Sequence, residues 1–201
     1  MAGRAETRAA LMRAAGEAFA ERGLRDVSID EIARRAGFTK GAFYANFASK
    51  EELFLAMLDE RFEHRADQLH AMLSDDAEPE VQARRTADEF SAYVAADPEW
   101  ERLFFEFATH AARHEAFRVE LVARYRMLRE GMAADYERRA AEVGLALPFP
   151  AEHLALMTFV MGNGVALEQL LEPEAVPEGF FGTMLTVWVA GLRALAEPPG
   201  G

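Results

Sequence analysis

Cysteine is absent from this 201-residue chain, which excludes a disulfide framework, thiolate metal ligands and a cysteine nucleophile. Lysine is nearly absent: Lys40 and Lys50 are the only two, and the other twenty basic residues are arginines. No uninterrupted apolar run reaches the roughly eighteen residues that a membrane helix needs. The longest candidate, Phe180 to Leu195, is broken by Gly182, Thr183, Thr186 and Arg193. Catalytic signatures are missing as well, with no H-E-x-x-H, no G-x-S-x-G and no Walker loop. Glu106 with His110 is the one candidate acid–base pair. Gly162-Asn163-Gly164 is too short for a phosphate loop, has no lysine after it, and reads as close helix packing.

What is present is an ordinary globular balance, 51% hydrophobic and 28% charged residues, with an uneven distribution of charge. The whole chain carries −12. Residues 1–50 nevertheless hold seven arginines and two lysines against six acidic residues, a net +3. The other 151 hold 13 basic and 28 acidic residues, a net −15. A basic head on an acidic body is what steers one end of a protein toward a polyanion. The arginine- and alanine-rich start imitates a transit peptide, but Glu6, Glu17 and Glu21 argue against one. The expectation is a cytoplasmic protein with an intact N-terminus and no membrane partner.

Proline and glycine punctuate the chain into helices, and no run has strand period. Leu11, Ala15, Ala18 and Phe19 recur at helical spacing up to Gly23, a natural residue just past a helix end. Ser28-Ile29-Asp30-Glu31 is a capping box opening a short helix that stops at Gly37, and Ser49-Lys50-Glu51-Glu52 is another, opening a long one. Ser74 to Pro79 is a polar break, and Asp97-Pro98 supplies an N-cap with proline at the first helical position. A long helix is expected over about 115–143, then helices near 151–171 and 178–196, then a loose tail. The predicted fold class is all-α, with about nine helices. It divides into a smaller N-terminal domain over 1–48 and a larger one over 49–201.

Helix, tight turn and short helix is the arrangement that sets a second helix into the DNA major groove. Residues 28–47 have that form. Ile32, Ala33 and Ala36 face inward on the first helix, Gly37 makes the turn, and Phe38, Phe43 and Phe47 fill the core behind the second. Thr39, Lys40, Gly41, Tyr44 and Asn46 remain to face outward. Thr39 can cap the helix and meet a phosphate, Lys40 can reach guanine acceptors, and Gly41 lets the backbone approach the bases. Tyr44 and Lys50 can bond phosphates, contacts that fix register without reading sequence. Asn46 suits either a phosphate or a base edge.

Residues 7–58 resemble the DNA-binding domain of the TetR family of bacterial transcriptional repressors. The resemblance runs from the helix ending AFAERGL through SIDEIARRAGFTKGAFYANFASKEELF. It implies Lys40 and Gly41 at the bases and Ser28, Thr39, Tyr44 and Lys50 at phosphates. Asn46 stands where the family often has histidine, and Arg4 and Arg8 are candidates for the minor groove or backbone. It also implies about nine helices, a homodimer built on the last two helices, and a small-molecule effector in the larger domain.

Beyond that stretch the residues speak for themselves. The wide apolar surfaces of the last two helices, among them Leu167, Leu170, Phe181, Met184, Leu185, Trp188 and Leu192, suit a dimer interface or a buried core of one subunit. Trp100, Phe104, Phe107, Phe117, Tyr125, Met127, Met157 and Met161 suit the lining of an apolar cavity, with His110 orienting a polar group of the ligand; each also suits ordinary core. Glu106, His110 and His114 share a four-residue spacing, which reads as a solvated stripe and not a metal site. The functional expectation is a ligand-responsive repressor without catalytic residues, metal or cofactor, bound to a pseudo-palindromic duplex operator. The alternative is an all-helical small-molecule-binding protein or enzyme that uses the cavity.

Overall fold

A computed structural model describes residues 3–73 and 77–196, without the side chains of 64–73. Among the described residues the chain forms nine α-helices, one 3-10 turn and no strand. The helices are α1 (Arg4–Asp26), α2 (Ile29–Arg35), α3 (Lys40–Tyr44), α4 (Lys50–Leu73), α5 (Pro79–Ala96), α6 (Pro98–Ala111), α7 (Glu115–Glu142), α8 (Ala151–Leu171) and α9 (Phe180–Ala196), with the 3-10 turn at Pro173–Ala175. Part of the expected polar break, 74–76, and the expected loose tail lie outside the described residues.

Packing divides the chain into two compact units, residues 1–62 with 99–124, and residues 63–98 with 125–201. These are not the limits of 1–48 and 49–201 drawn from the sequence, because most of α6 and the start of α7 pack with the N-terminal helices.

The first unit is built on aromatic residues. Phe43, Phe47, Phe54 and Phe107 are fully buried, with Leu11, Ile32, Leu53 and Leu58 around them. Phe54 of α4 stacks on Phe107 at 4.1 Å between ring centroids and on Trp100 at 5.4 Å, so the apolar face of α6 seals this core. Gly23 takes φ 76°, ψ 165° and breaks α1 where the sequence places its end, although helical turns resume to Asp26.

The second unit gathers α5, α8, α9 and the C-terminal part of α7. Ala87, Val165, Phe181 and Leu185 form one buried cluster, with Phe90 and Met161 against it. Met132, Ala133, Ala151 and Ala155 form another. A Cβ on Gly182 would stand 2.9 Å from Asp88 Oδ1 and 3.2 Å from Arg84 Cγ, so the missing side chain is what lets α9 lie this close to α5. α8, with 21 residues, is long and apolar enough by composition to cross a membrane. Counting uninterrupted apolar residues misses it, because glycines, Asn163 and single acids interrupt the run without lowering its mean hydropathy much. Its Leu154, Ala155, Val165 and Ala166 are buried inside the unit.

Candidate nucleic-acid interface

α2 begins with Ser28 as N-cap, its Oγ accepting from the Glu31 amide at 3.1 Å. The reciprocal half of that capping box is not made: the Glu31 carboxylate pairs instead with Arg22 at 2.9 Å and Arg35 at 3.2 Å. Two guanidiniums outcompete one backbone amide for it. The turn closes at Gly37, whose φ of 77° is a left-handed value that glycine adopts without strain. Phe38 N donates to Ala33 O at 2.8 Å there. Thr39 then caps α3, its Oγ1 accepting from Ala42 N at 3.3 Å.

The five residues of α3 divide sharply. Phe43 is completely buried and Tyr44 is 52% exposed, the two rings meeting edge to face at 5.7 Å. Thr39, Lys40 and Gly41 are exposed beside Tyr44 and form one outward face with it. A Cβ on Gly41 would meet nothing closer than Thr39 Oγ1 at 3.7 Å, an ordinary contact. Glycine inside a helix costs about 0.5–1 kcal/mol relative to alanine. Nothing inside the protein requires that cost at Gly41.

The cations occupy different places from one another. Lys40 Nζ lies 2.9 Å from Asp30 Oδ2, with both side chains more than half exposed; this pair raises the lysine pKa and contributes little to stability. Lys50 points inward. Its ammonium donates to the carbonyls of Leu24 at 2.7 Å, Arg25 at 3.2 Å and Val27 at 2.6 Å, so it clamps the connection from α1 to α2 and does not sit on the outward face. Glu106 of α6 grips the other side of that connection, accepting from Leu24 N at 3.1 and 3.2 Å. Arg4 and Arg8 donate to Ala45 O and Asn46 O at 3.5 and 3.3 Å, and Arg8 lies over the Phe47 ring. Asn46, just past the end of α3, turns back onto it, Nδ2 donating to Ala42 O at 2.8 Å, with Oδ1 buried and unpartnered. Ser28, Thr39, Lys40, Gly41 and Tyr44 are thus brought to the surface of the helix-turn-helix, whereas Asn46 and Lys50 are engaged within the unit.

Residues 11–57 match the family model for bacterial regulatory proteins of the tetR family. That likeness to the tetR family covers the helix-turn-helix and part of the helices on either side of it. The chain is 34% identical over 103 residues to the HTH-type transcriptional activator FasR of Mycolicibacterium smegmatis, covering 51% of this chain and 47% of that one. It is 38% identical over 76 residues to the HTH-type transcriptional repressor BepR of Brucella suis, covering 37% and 36%. The matched stretch thus spans less than half the length of either relative. A crystal structure of a TetR-family regulator from Mesorhizobium loti superposes with a TM-score of 0.77 at 19% identity, over 97% of this chain and 98% of the other, and shows the same fold.

In this chain the aromatics expected to line an effector cavity are scattered. Trp100, Phe104 and Phe107 are buried in the first unit, where α6 meets Phe54. His110 and Phe117 lie in that unit too, their rings 5.6 Å apart. Tyr125 packs on Phe159 in the second unit, Met161 joins the cluster around Phe181, and Met127 and Met157 are exposed. A cavity of about 130 Å³ does occur in the second unit, between α5, α7, α8 and α9, and none of those nine residues lines it. Its walls include Ala83, Thr86, Met132, Tyr136, Leu154 and Trp188. The small residues and the threonines among them carry no signal in the sequence that would mark a pocket.

The expected dimer residues divide as well. Phe181, Leu185 and Leu192 are buried within the subunit, and Met184 and Trp188 partly so, because that side of α9 faces α5. Leu167 is exposed and Leu170 partly exposed.

Among the described residues no group of three or more His, Asp or Glu side chains could hold a metal. α6 ends at Ala111, so His114 lies in the turn after it, yet its ring still meets that of His110 at 4.2 Å. His110 Nε2 is buried without a hydrogen-bond partner, 3.8 Å from Glu51 Oε1. Burial first, then His114 and Arg25, lower its pKa below the ordinary 6.5, against the opposing pull of Glu51 and Glu106. The unfolded chain therefore takes up this proton more readily than the folded one. Above pH 6.5 the group is neutral in both states; as pH falls below 6.5, it subtracts stability. Thermal unfolding from pH 8 to 5 is expected to show a steeper acid loss for the native chain than for His110→Gln, and parallel curves would contradict this.

Proposed function

We propose that this chain is a ligand-responsive transcriptional regulator that binds a pseudo-palindromic duplex as a homodimer, acting as a repressor that a small apolar effector releases. The observation that carries this reading is the outward face of α3, where a Cβ on Gly41 would meet only Thr39 Oγ1, at 3.7 Å, and nothing internal requires glycine. A backbone that close to the surface can lie against base edges, with Lys40 exchanging Asp30 for guanine acceptors and Ser28, Thr39 and Tyr44 reaching phosphates. A band shift on the DNA upstream of its own gene and of neighbouring genes tests it. Salt-sensitive, sequence-selective binding is expected there, and its absence on all of them would overturn the reading. Lys40→Ala is expected to relax sequence preference.

Apolar side chains left outside the second unit support the homodimer. Leu156, Val160, Leu167 and Leu171 run along α8, and Phe180, Val187 and Leu195 along α9, with Leu171 70% and Val187 68% exposed. Such a surface is a candidate for self-association. Val187→Asp combined with Leu171→Asp is expected to give a folded monomer in sedimentation velocity, with DNA affinity reduced at least tenfold; an unchanged dimer would exclude these faces as the interface.

The cavity in the second unit supports effector binding. Ligand there would favour a conformer whose two DNA-binding heads no longer match the operator spacing, so that ligand and DNA oppose each other by linkage. α4 and α7 each contribute residues to both units, which gives a continuous covalent path for that coupling.

A further inference from the structure

We infer that Asp30 is a specificity residue of the groove-facing surface. It takes the amino group of the cytosine whose guanine partner receives Lys40, so the two side chains together select one G·C pair in one orientation. The inference rests on the duplex-binding reading above and specifies how this face chooses its sequence.

An exposed acid is out of place on a surface that meets a polyanion. Asp30 is the second residue of α2, with a side chain 64% exposed, and its Oδ2 lies 2.9 Å from Nζ of Lys40, the first residue of α3. The neighbouring acid, Glu31, is held between Arg22 and Arg35 and is only 13% exposed. Asp30 has no arginine; among the described residues its one hydrogen-bonded side chain is Lys40. An acid in the first turn of a helix is mildly favourable, but Glu31 already fills that place in α2. Once Lys40 turns its donors to guanine, the Asp30 carboxylate faces the groove unpaired, which is costly unless the DNA supplies a donor. In the major groove only the amino groups of cytosine and adenine do so.

The spacing of the ion pair matches one base pair. Guanine O6 and cytosine N4 are joined by an N–H···O hydrogen bond, so they lie about 2.7–3.2 Å apart. Each keeps something for the groove, O6 a lone pair and N4 its second hydrogen. Lys40 Nζ and Asp30 Oδ2 have a like separation, 2.9 Å. An ammonium over O6 and N7 and a carboxylate on N4 can therefore stand side by side on one pair and still attract each other. Reversing the pair sets ammonium against amino group and carboxylate against O6. An A·T pair also offers an amino group, but N7 beside it repels the carboxylate, and the thymine methyl crowds the ammonium at O4. On any other site Lys40 stays on Asp30 with its charge cancelled, so the same acid weakens non-specific binding.

The test uses the full-length protein and duplexes selected from a random pool, with affinities read by fluorescence anisotropy. At the position whose preference Lys40→Ala relaxes, the native chain is expected to favour G·C over the other three pairs by about tenfold or more. Asp30→Ala should relax that same position and bind random-sequence duplex more tightly than the native chain does. Asp30→Asn should admit adenine in place of the cytosine, because an amide reads N6 and N7 together. N4-methylcytosine at that position blocks the groove-facing hydrogen; it should weaken the native chain about tenfold and leave Asp30→Ala unaffected. The loss on the methylated duplex is read on the native protein, so it does not depend on how any variant folds.

Indifference of the native chain to the methyl group would overturn the inference, as would base preferences untouched by both Asp30 variants. Relaxation of different positions by Lys40→Ala and Asp30→Ala would overturn it too. Each of these results leaves the regulator reading in place. A native protein that enriches no sequence at all would instead sink that reading, and this inference with it.

Discussion

Replacing Gly41 by leucine is expected to leave the first unit folded and to abolish operator binding. The fold should tolerate the change because a Cβ at that position meets only Thr39 Oγ1, at 3.7 Å, and the side chain continues from an exposed face. Alanine there should even raise stability by about 0.5–1 kcal/mol, the usual gain over glycine in a helix. Binding should suffer in proportion to side-chain size, because a groove-facing backbone has no room for a branched chain. Displacing α3 by that width forfeits on the order of two base contacts at about 1–3 kcal/mol each, a hundredfold or more in affinity. Urea unfolding and fluorescence anisotropy on one labelled duplex separate the two effects. Leucine that binds DNA as tightly as glycine would mean that this face of α3 does not meet the groove.

Lys50→Ala carries the other large effect, and it is expected on stability before DNA. One ammonium serves the carbonyls of Leu24, Arg25 and Val27, the connection that delivers the chain to the N-cap of α2. Losing a charged hydrogen-bond donor at such a site costs on the order of 2 kcal/mol. With α2 and α3 less firmly held, affinity for all sequences should fall together. Arginine should rescue poorly, because its planar fork does not match three converging carbonyls that a compact ammonium with three donors can serve. That is a physical reason for lysine at this position in a chain whose other basic residues, Lys40 apart, are arginines. Loss of DNA affinity with unchanged urea stability would instead make Lys50 a phosphate anchor.

The helix-turn-helix could be read from the sequence because its signals are local. Capping serines, Gly37 and the alternation of Phe43 and Phe47 with Tyr44 each act within a few residues, and the structure has the short helices and the inward and outward faces that they imply. Lys50 was harder, since its acceptors lie in a connection far back along the chain and converge only on folding. The cavity was harder still. α6 is aromatic, but nothing in its own sequence tells whether Phe54 or a ligand will fill the space beside Phe107. The walls of the observed cavity come from small and hydroxylated residues that look like packing. α9 is apolar on more than one side, which requires burial all round without saying which side its own subunit takes; Phe181, Leu185 and Leu192 turn inward, and Val187 and Leu195 outward.

We propose that the exposed face of α3 reads duplex DNA in a symmetric dimer. Selection of bound sequences from a pool of random duplexes, using the purified full-length protein, tests it most directly. The expected product is an inverted repeat whose half-sites lie about one helical turn apart, or a multiple of that, and which Gly41→Leu no longer enriches. A bound pool indistinguishable from the input, or one enriched equally by Gly41→Leu, would contradict it.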